Sequence, residues 1–380
     1  MADFASELFR KLFGSQFENY TDNYDTHRFG DEVKSRSWPS FRGLIDSLAR
    51  KAGFVRRQEL FSATGKLDLE AWSPHFPALD WMFQNLADDE SRRLLVALAA
   101  YRILGHRHIR LPLSTPRFWT QLSDCASLAD QRDTMKGPGG FPGGFALMRQ
   151  SLDKLGYPIS LYAPKGGTLT TFVLGQYSCR QSGIGVNRGD VIIDAGACFG
   201  DTALYFAHLA GPSGKVYSFE FMDENIRVFE RNISLNPLLA DRIELIAQPL
   251  WSSSGVLMTS AGAGPGSRSV VATSGYESGL HRSLAIDDFV KDRGLSRIDF
   301  IKMDIEGAEL EALSGARESL IAFRPDLALC VYHSVDHFWL LARYLEGLGL
   351  GYRFYLGHFT IHAEETVLFA TARSKPVSIR

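Results

Sequence analysis

The run Val191-Ile192-Ile193-Asp194-Ala195-Gly196-Ala197-Cys198-Phe199-Gly200-Asp201-Thr202 decides the fold class. Three consecutive β-branched residues read as a strand covered on both faces, which is the pattern of a parallel sheet between helix layers. The chain then turns through two glycines into a helix. At Gly196 and Gly200 the backbone has to bend sharply and admit a ligand close to it, so positions without a side chain are needed. In such a unit the ligand lies at the carboxyl end of the sheet.

Outward from this run the same grammar continues. Strands are expected at Val191 to Asp194, Lys215 to Glu220, Ile243 to Ile246, Ile298 to Asp304, Asp326 to Tyr332, Tyr352 to Leu356 and Thr366 to Thr371. Helices are expected at Thr202 to Leu209, Glu224 to Leu235, Ala308 to Phe323 and Asp336 to Leu348, with a Ser/Gly-rich hairpin insertion over 252–275. Alternating strands and helices predict an α/β fold, and the closely spaced last two strands predict an antiparallel pair at one edge.

Upstream the pattern differs. Residues 1–136 read as a mainly helical N-terminal domain. Phe4, Leu8 and Leu12 make a short amphipathic stripe expected to pack on its own domain, and a stronger helix runs from Asp88 to a stop at Gly105, with Leu94, Leu95, Leu98 and Tyr101 expected to form its one buried face. Residues 137–145, rich in Gly and Pro, read as a connector and domain boundary, and no Lys-Ser/Thr pair follows to make it a phosphate loop. The α/β domain is expected over 146–380.

Composition bounds the partners. The 380 residues are 45% hydrophobic and 22% charged, and 41 Lys plus Arg against 43 Asp plus Glu give a net charge of −2. That balance lacks the basic footprint of a dedicated nucleic-acid binder, so no nucleic acid is expected. Cys125, Cys179, Cys198 and Cys330 show no C-x-x-C spacing, which argues against a disulfide scaffold or a zinc ribbon. No apolar run reaches the roughly 20 residues of a membrane span, and the start lacks a secretory pattern. The expected location is the cytoplasm, and the composition is compatible with a homo-oligomer.

Three groups of residues carry chemistry. First, Glu220 closes the second strand twenty residues past Gly200, where a carboxylate can accept hydrogen bonds from both hydroxyls of a ribose. The spacing D-x-G-x-x-x-G, with Asp194 and Asp201 flanking the loop, is not the G-x-G-x-x-G of a nicotinamide enzyme. Two carboxylates repel a pyrophosphate but suit a cofactor with an amine and a sulfonium, a description that S-adenosylmethionine meets.

Second, Phe300-Ile301-Lys302-Met303-Asp304-Ile305-Glu306-Gly307-Ala308-Glu309 places a lysine inside a strand that ends in carboxylates. At period two Lys302 and Asp304 share a face and can pair, while Asp304 or Glu306 can deprotonate or orient a substrate hydroxyl. Third, Tyr332-His333 puts an imidazole on the same rim as a base or hydrogen-bond partner. His337 follows at helical spacing, but no H-E-x-x-H pattern accompanies the pair and no metal ligand is assigned.

On these residues the chain resembles the FkbM family of S-adenosylmethionine-dependent methyltransferases. The resemblance covers roughly 172–372 and rests on Asp194-Ala195-Gly196-Ala197 to Gly200-Asp201-Thr202, Phe219-Glu220-Phe221 with Asn232 and Asn236, and Leu284 to Phe289. It continues through Ile301 to Glu309, Tyr332-His333 and Glu365 to Ala370. Cys198 stands where the family commonly has Asn, and Phe221-Met222 replaces an acidic-residue-then-Pro turn.

The resemblance implies a class I, Rossmann-like sheet of seven strands, ordered 3-2-1-4-5-7-6 with the last antiparallel. It implies O-methylation of a small-molecule or glycan hydroxyl, such as a sugar or polyketide acceptor. The cofactor set is then Asp194, Ala195, Gly196, Ala197, Gly200, Asp201, Thr202, Glu220 and Phe221, with Gln248 near the adenine and Tyr177 closing over it. The catalytic set is Asp304, Glu306 and His333, with Lys302 tuning Asp304. The rival readings are an N-methyltransferase of a small amine and a non-catalytic cofactor-binding or interaction protein.

Overall fold

A computed structural model describes residues 3–29, 71–138, 146–164, 167–261, 268–272 and 279–373. Strands β1 (Ala129–Lys136), β2 (Ala146–Ser151) and β3 (Ser160–Ala163) form an antiparallel sheet. β4 (Val191–Ala195), β5 (Lys215–Phe219) and β6 (Ile243–Ile246) begin the main sheet. The insertion contributes β7 (Leu257–Ala261), β8 (Arg268–Val271) and β9 (His281–Arg282), which pair antiparallel. The main sheet resumes with β10 (Phe300–Met303), β11 (Asp326–Cys330), β12 (Arg353–His358) and β13 (Thr366–Thr371).

The main sheet has the order β12-β13-β11-β10-β4-β5-β6, and β13 runs antiparallel to both its neighbours. Counted from β4 as strand one, this is the expected 3-2-1-4-5-7-6. Every residue of β10, β11 and β13 is buried, as a sheet covered on both faces requires. The strands end earlier than the sequence pattern suggests. β10 stops at Met303 and β11 at Cys330, so Asp304, Tyr332 and His333 lie just past the strand ends, on the rim.

Two helical expectations are corrected. The helix expected over Ala308 to Phe323 is two, Glu309–Ser314 and Arg317–Phe323. The break falls at Gly315, whose backbone lies so close to Trp251 that a Cβ would sit 2.2 Å from its carbonyl oxygen. The Asp89–Leu104 helix, capped by Asp88 and stopped at Gly105, is buried on more than the face of Leu94, Leu95, Leu98 and Tyr101. Val96, Ala99, Ala100 and Ile103 are covered too, because the helix lies between the Phe4–Ser15 helix and β12.

That placement shields the edge of the main sheet. Ala87 N–H donates to the Phe354 carbonyl and Leu356 N–H to Ser91 Oγ, so the N-terminal segment satisfies part of the β12 backbone. Phe4, Leu8 and Leu12 bury their stripe against this layer, each worth roughly 1.5–3 kcal/mol. The resulting core is continuous from Phe4 to Ile193 and Phe354.

β1 and β2 flank the boundary expected at 137–145 and pair antiparallel, from Ala129 opposite Gln150 to Lys136 opposite Ala146. Residues 139–145 themselves lie outside the described residues. Asn232 and Asn236 fasten this small sheet to the main-sheet half: their side chains bond the backbone of Tyr162 and Ser160 in β3, both as acceptor and donor. Among the described residues no helix is long and apolar enough to cross a membrane.

Candidate active site

A cleft open to solvent lies at the carboxyl rim where β4, β5 and β10 end. Gly196, Cys198, Glu220, Phe221, Gln248, Asp304 and Glu306 line it, and all but Cys198 belong to the expected site. Phe219, Met222, Asn225, Pro249, Leu250 and Ile305 complete the wall.

The β4 loop is held from within the protein. Gly196 has φ +80°, and a Cβ there would lie 1.9 Å from the Asp304 carbonyl oxygen. Gly200 has φ +81°, with Phe229 at 2.9 Å from the same added atom. Both glycines are thus required by neighbouring protein atoms, where the sequence reading expected a close ligand. Lys302 is likewise corrected. It sits directly opposite Asp194 in the β4–β10 register, and its Nζ is 3.1 Å from Asp194 Oδ1 rather than paired with Asp304. The same ammonium donates to the carbonyls of Ala195 and Gly196 at 3.1 and 2.6 Å.

Asp194 is fully buried and also accepts from Thr202 and Ser218, so Asp194, Lys302 and Thr202 brace the loop from behind the cleft. Burial opposes the lysine's charge, but Asp194 and Asp304 outweigh it and hold the ammonium above the ordinary lysine value. Ala195 and Ala197 are fully buried. Asp201 accepts from Thr171, and burial raises its carboxyl above the ordinary range.

Glu220 ends up on the cleft wall with a full set of donors. Oε1 accepts the backbone N–H groups of Phe221 and Met222 at 2.7 and 2.8 Å. Oε2 accepts Cys198 N–H and the Asn225 amide, each at 3.1 Å. Burial nonetheless raises this carboxyl above its ordinary value. Gln248 lines the cleft with its amide donating to the Arg282 carbonyl of β9.

The other half of the rim is assembled from four segments. Asp304 Oδ1 accepts from Tyr332 and Oδ2 from Tyr177, at 3.1 and 3.0 Å. Tyr177 also lays its ring 5.4 Å from the Lys302 ammonium, so it closes against Asp304 and Lys302 ahead of β4. His333 Nε2 lies 3.3 Å from Asp304 and 3.5 Å from Glu306. Its Nδ1 lies 2.8 Å from Glu309 Oε1. Burial would raise the Asp304 carboxyl, but His333 and then Lys302 hold it well below the usual carboxylate range. Burial likewise disfavours the His333 cation, yet Glu309 and Asp304 hold that imidazole well above its ordinary value.

Two residues of this half were not among the expected site residues. Glu309, fully buried, is shared by His333 and His337, whose Nδ1 is 3.2 Å from Oε2. Against the opposing effect of burial, the two histidines pull its carboxyl down to about 2. Both histidines therefore turn Nδ1 toward one carboxylate. Glu365 immediately precedes β13 and so reaches the same rim because that strand is antiparallel. Gln176 donates to it at 2.6 Å, and burial, reinforced by Asp304, pushes it up to about 7. The described residues hold four non-glycine residues at positive φ, and three of them are on this rim: Cys198, Glu306 and Glu365. Such outliers concentrate at functional sites.

Comparison with known proteins follows the same outline. Residues 194–354 match the family model described as the methyltransferase FkbM domain. Methyltransferase sdnD of Sordaria araneosa is 30% identical over 158 residues, which span 33% of this chain and 60% of that relative. The crystal structure of the methyltransferase FkbM of Methylobacillus flagellatus KT superposes with a TM-score of 0.52 at 18% identity, covering 89% of this chain and 72% of that one. The last likeness is one of fold. Over residues 194–354 the chain is thus similar to the FkbM methyltransferase domain, and its main sheet shares the fold of that methyltransferase structure.

Proposed function

We propose that the protein is an S-adenosylmethionine-dependent methyltransferase that O-methylates a hydroxyl of a sugar, glycan or polyketide-type small molecule. The observation that carries this reading is the cleft itself, which has Glu220 on one wall and Asp304 with Glu306 on the other. The residues suit such a cofactor. Carboxylates of Glu220, Asp304 and Glu306 favour a cation, and Phe221, Met222 and Leu250 offer an apolar wall to a purine. S-adenosylmethionine supplies a methyl group already activated on a sulfonium, which leaves the protein mainly to align and deprotonate the acceptor.

In this reading Glu220 takes the ribose hydroxyls by exchanging donors at Oε2, the Asp194–Thr202 loop holds the amino-acid part, and Gln248 lies at the adenine. Asp304, fixed by Tyr177 and Tyr332, orients the acceptor. Its low basicity suits orienting better than proton removal. Glu306, on the cleft wall, receives the hydroxyl proton. Lys302 acts through Asp194 by holding the loop rigid.

The test is methyl-labelled donor offered with hydroxyl and amine acceptors side by side. Labelled methyl ethers are expected. Transfer only to amines would assign N-methylation instead, and binding without transfer to any acceptor would leave a cofactor-binding protein.

A further inference from the structure

The first helix, Phe4–Ser15, carries two apolar faces. Phe4, Leu8 and Leu12 lie in the core, whereas Phe9, Phe13 and Phe17 recur at four-residue spacing on another side and are 38%, 67% and 88% exposed. Gln16 keeps helical dihedrals after the last helical residue, so Phe17 continues the row. The rings of Phe9 and Phe13 stand 6.4 Å apart, and Phe9 rests against Phe76 at 6.1 Å. Among the described residues no other phenylalanine, tyrosine or tryptophan is exposed. At about 200 Å2 per phenylalanine side chain the three present roughly 400 Å2 of apolar surface, a size of patch that commonly marks a function.

We infer that this face docks on a phospholipid surface of zwitterionic headgroups, into which the phenylalanine rings insert. Three features select lipid over protein. Side chains exposed by two thirds or more, as Phe13 and Phe17 are, project outward, which suits entry into a fluid layer and offers no groove to a peptide or helix. Two copies meeting through this face would bury roughly 800 Å2 in all, short of the ~1,200 Å2 at which stable protein interfaces begin. The edge of the face is also electrically balanced. Arg10 pairs with Glu7, Arg110 with Asp22, and Lys11 offsets Glu18, so neither an acidic nor a basic partner is attracted, while headgroups of zero net charge match it. With Phe4, Leu8 and Leu12 held in the core, the helix docks without leaving its place. The inserted area is about that of one myristoyl chain, which holds a protein to a bilayer reversibly. Docking of this kind is independent of methyl transfer.

The experiment is flotation of the purified full chain with phosphatidylcholine vesicles, comparing the parent with the double variant Phe13→Ser, Phe17→Ser. The parent is expected to float with a partition constant on the order of 10,000 M−1, and the variant to bind at least about tenfold more weakly. The variant's denaturant midpoint and circular dichroism are expected to match those of the parent, because both rings are exposed in the folded chain. Failure of the parent to float, or equal flotation of both proteins, overturns the site. So does a lowered midpoint in the variant, which would show the rings to be covered in the free chain. Sedimentation velocity supplies the last arm: a dimer of the parent that the variant loses assigns the face to a second copy and overturns lipid docking.

Discussion

Under β4 and β5 the rim's charges are settled inside the protein; under β10, β11 and β13 they are not. In the first region Glu220 accepts four donors, and Asp194 is enclosed by Lys302, Thr202 and Ser218. In the second, Asp304, Glu306 and Glu309 crowd around His333, and Glu365 is left with a carboxyl that burial and Asp304 raise strongly. The difference separates holding from reacting. A region that repeats one binding geometry benefits from preorganised donors, whereas a region that moves a proton needs groups whose charge is contested.

The largest way to break the settled region is Lys302→Met. It leaves Asp194 buried without its cation, which is expected to cost about 3–5 kcal/mol in denaturant unfolding. Adding Asp194→Asn to that variant is expected to recover part of the loss. If Lys302→Met unfolds like the parent, the pair is not what braces the loop. Gly196→Ala comes next. Its Cβ would meet the Asp304 carbonyl at 1.9 Å in a left-handed conformation, so a loss of about 3 kcal/mol is expected. Unchanged stability would mean that the two loops are not in contact.

The contested region is sharpened by Glu365→Gln. The folded carboxyl lies at about 7 against an ordinary 4.5, so the folded state binds more protons than the unfolded one between those values. Stability contributed by that proton is present below 4.5 and is lost as pH rises through 7. Asp304 and Glu364 oppose the charge on Glu365, and Arg28 and Gln176 favour it. The glutamine variant is expected to melt like the parent at pH 5 and several degrees higher at pH 8. An equal melting temperature at both pH values would return Glu365 to an ordinary surface role.

The smallest effect concerns Cys198, at φ +46° on the cleft wall. Asn tolerates that conformation better than Cys. Cys198→Asn is therefore expected to stabilise the chain by a few tenths of a kcal/mol up to about 1 kcal/mol. A loss of stability would place another constraint on the thiol.

The same division explains what could be read from the letters. The Val191–Thr202 turn and the Lys302–Glu309 run are contiguous, so local spacing exposed them, and Glu220 followed from the length of one strand-helix-strand unit. The partner of Lys302 did not follow, because it depends on the β4–β10 register. Glu309 stood in the quoted run, but its role appears only when Glu309–Ser314 and the segment after β11 meet. Glu365 reaches the rim through strand direction alone; an acidic residue at the start of an antiparallel edge strand is the signal that could have found it.

The central claim is that the cleft walled by Glu220 and Asp304 grips an adenosyl sulfonium. Titration calorimetry of S-adenosylmethionine into the parent chain and into Glu220→Gln tests it most directly. One donor per chain is expected for the parent, with affinity at least about tenfold weaker in the variant, in keeping with loss of a charged hydrogen-bond acceptor worth roughly 1.5–3 kcal/mol. No binding to the folded parent, or equal binding by both proteins, would contradict it.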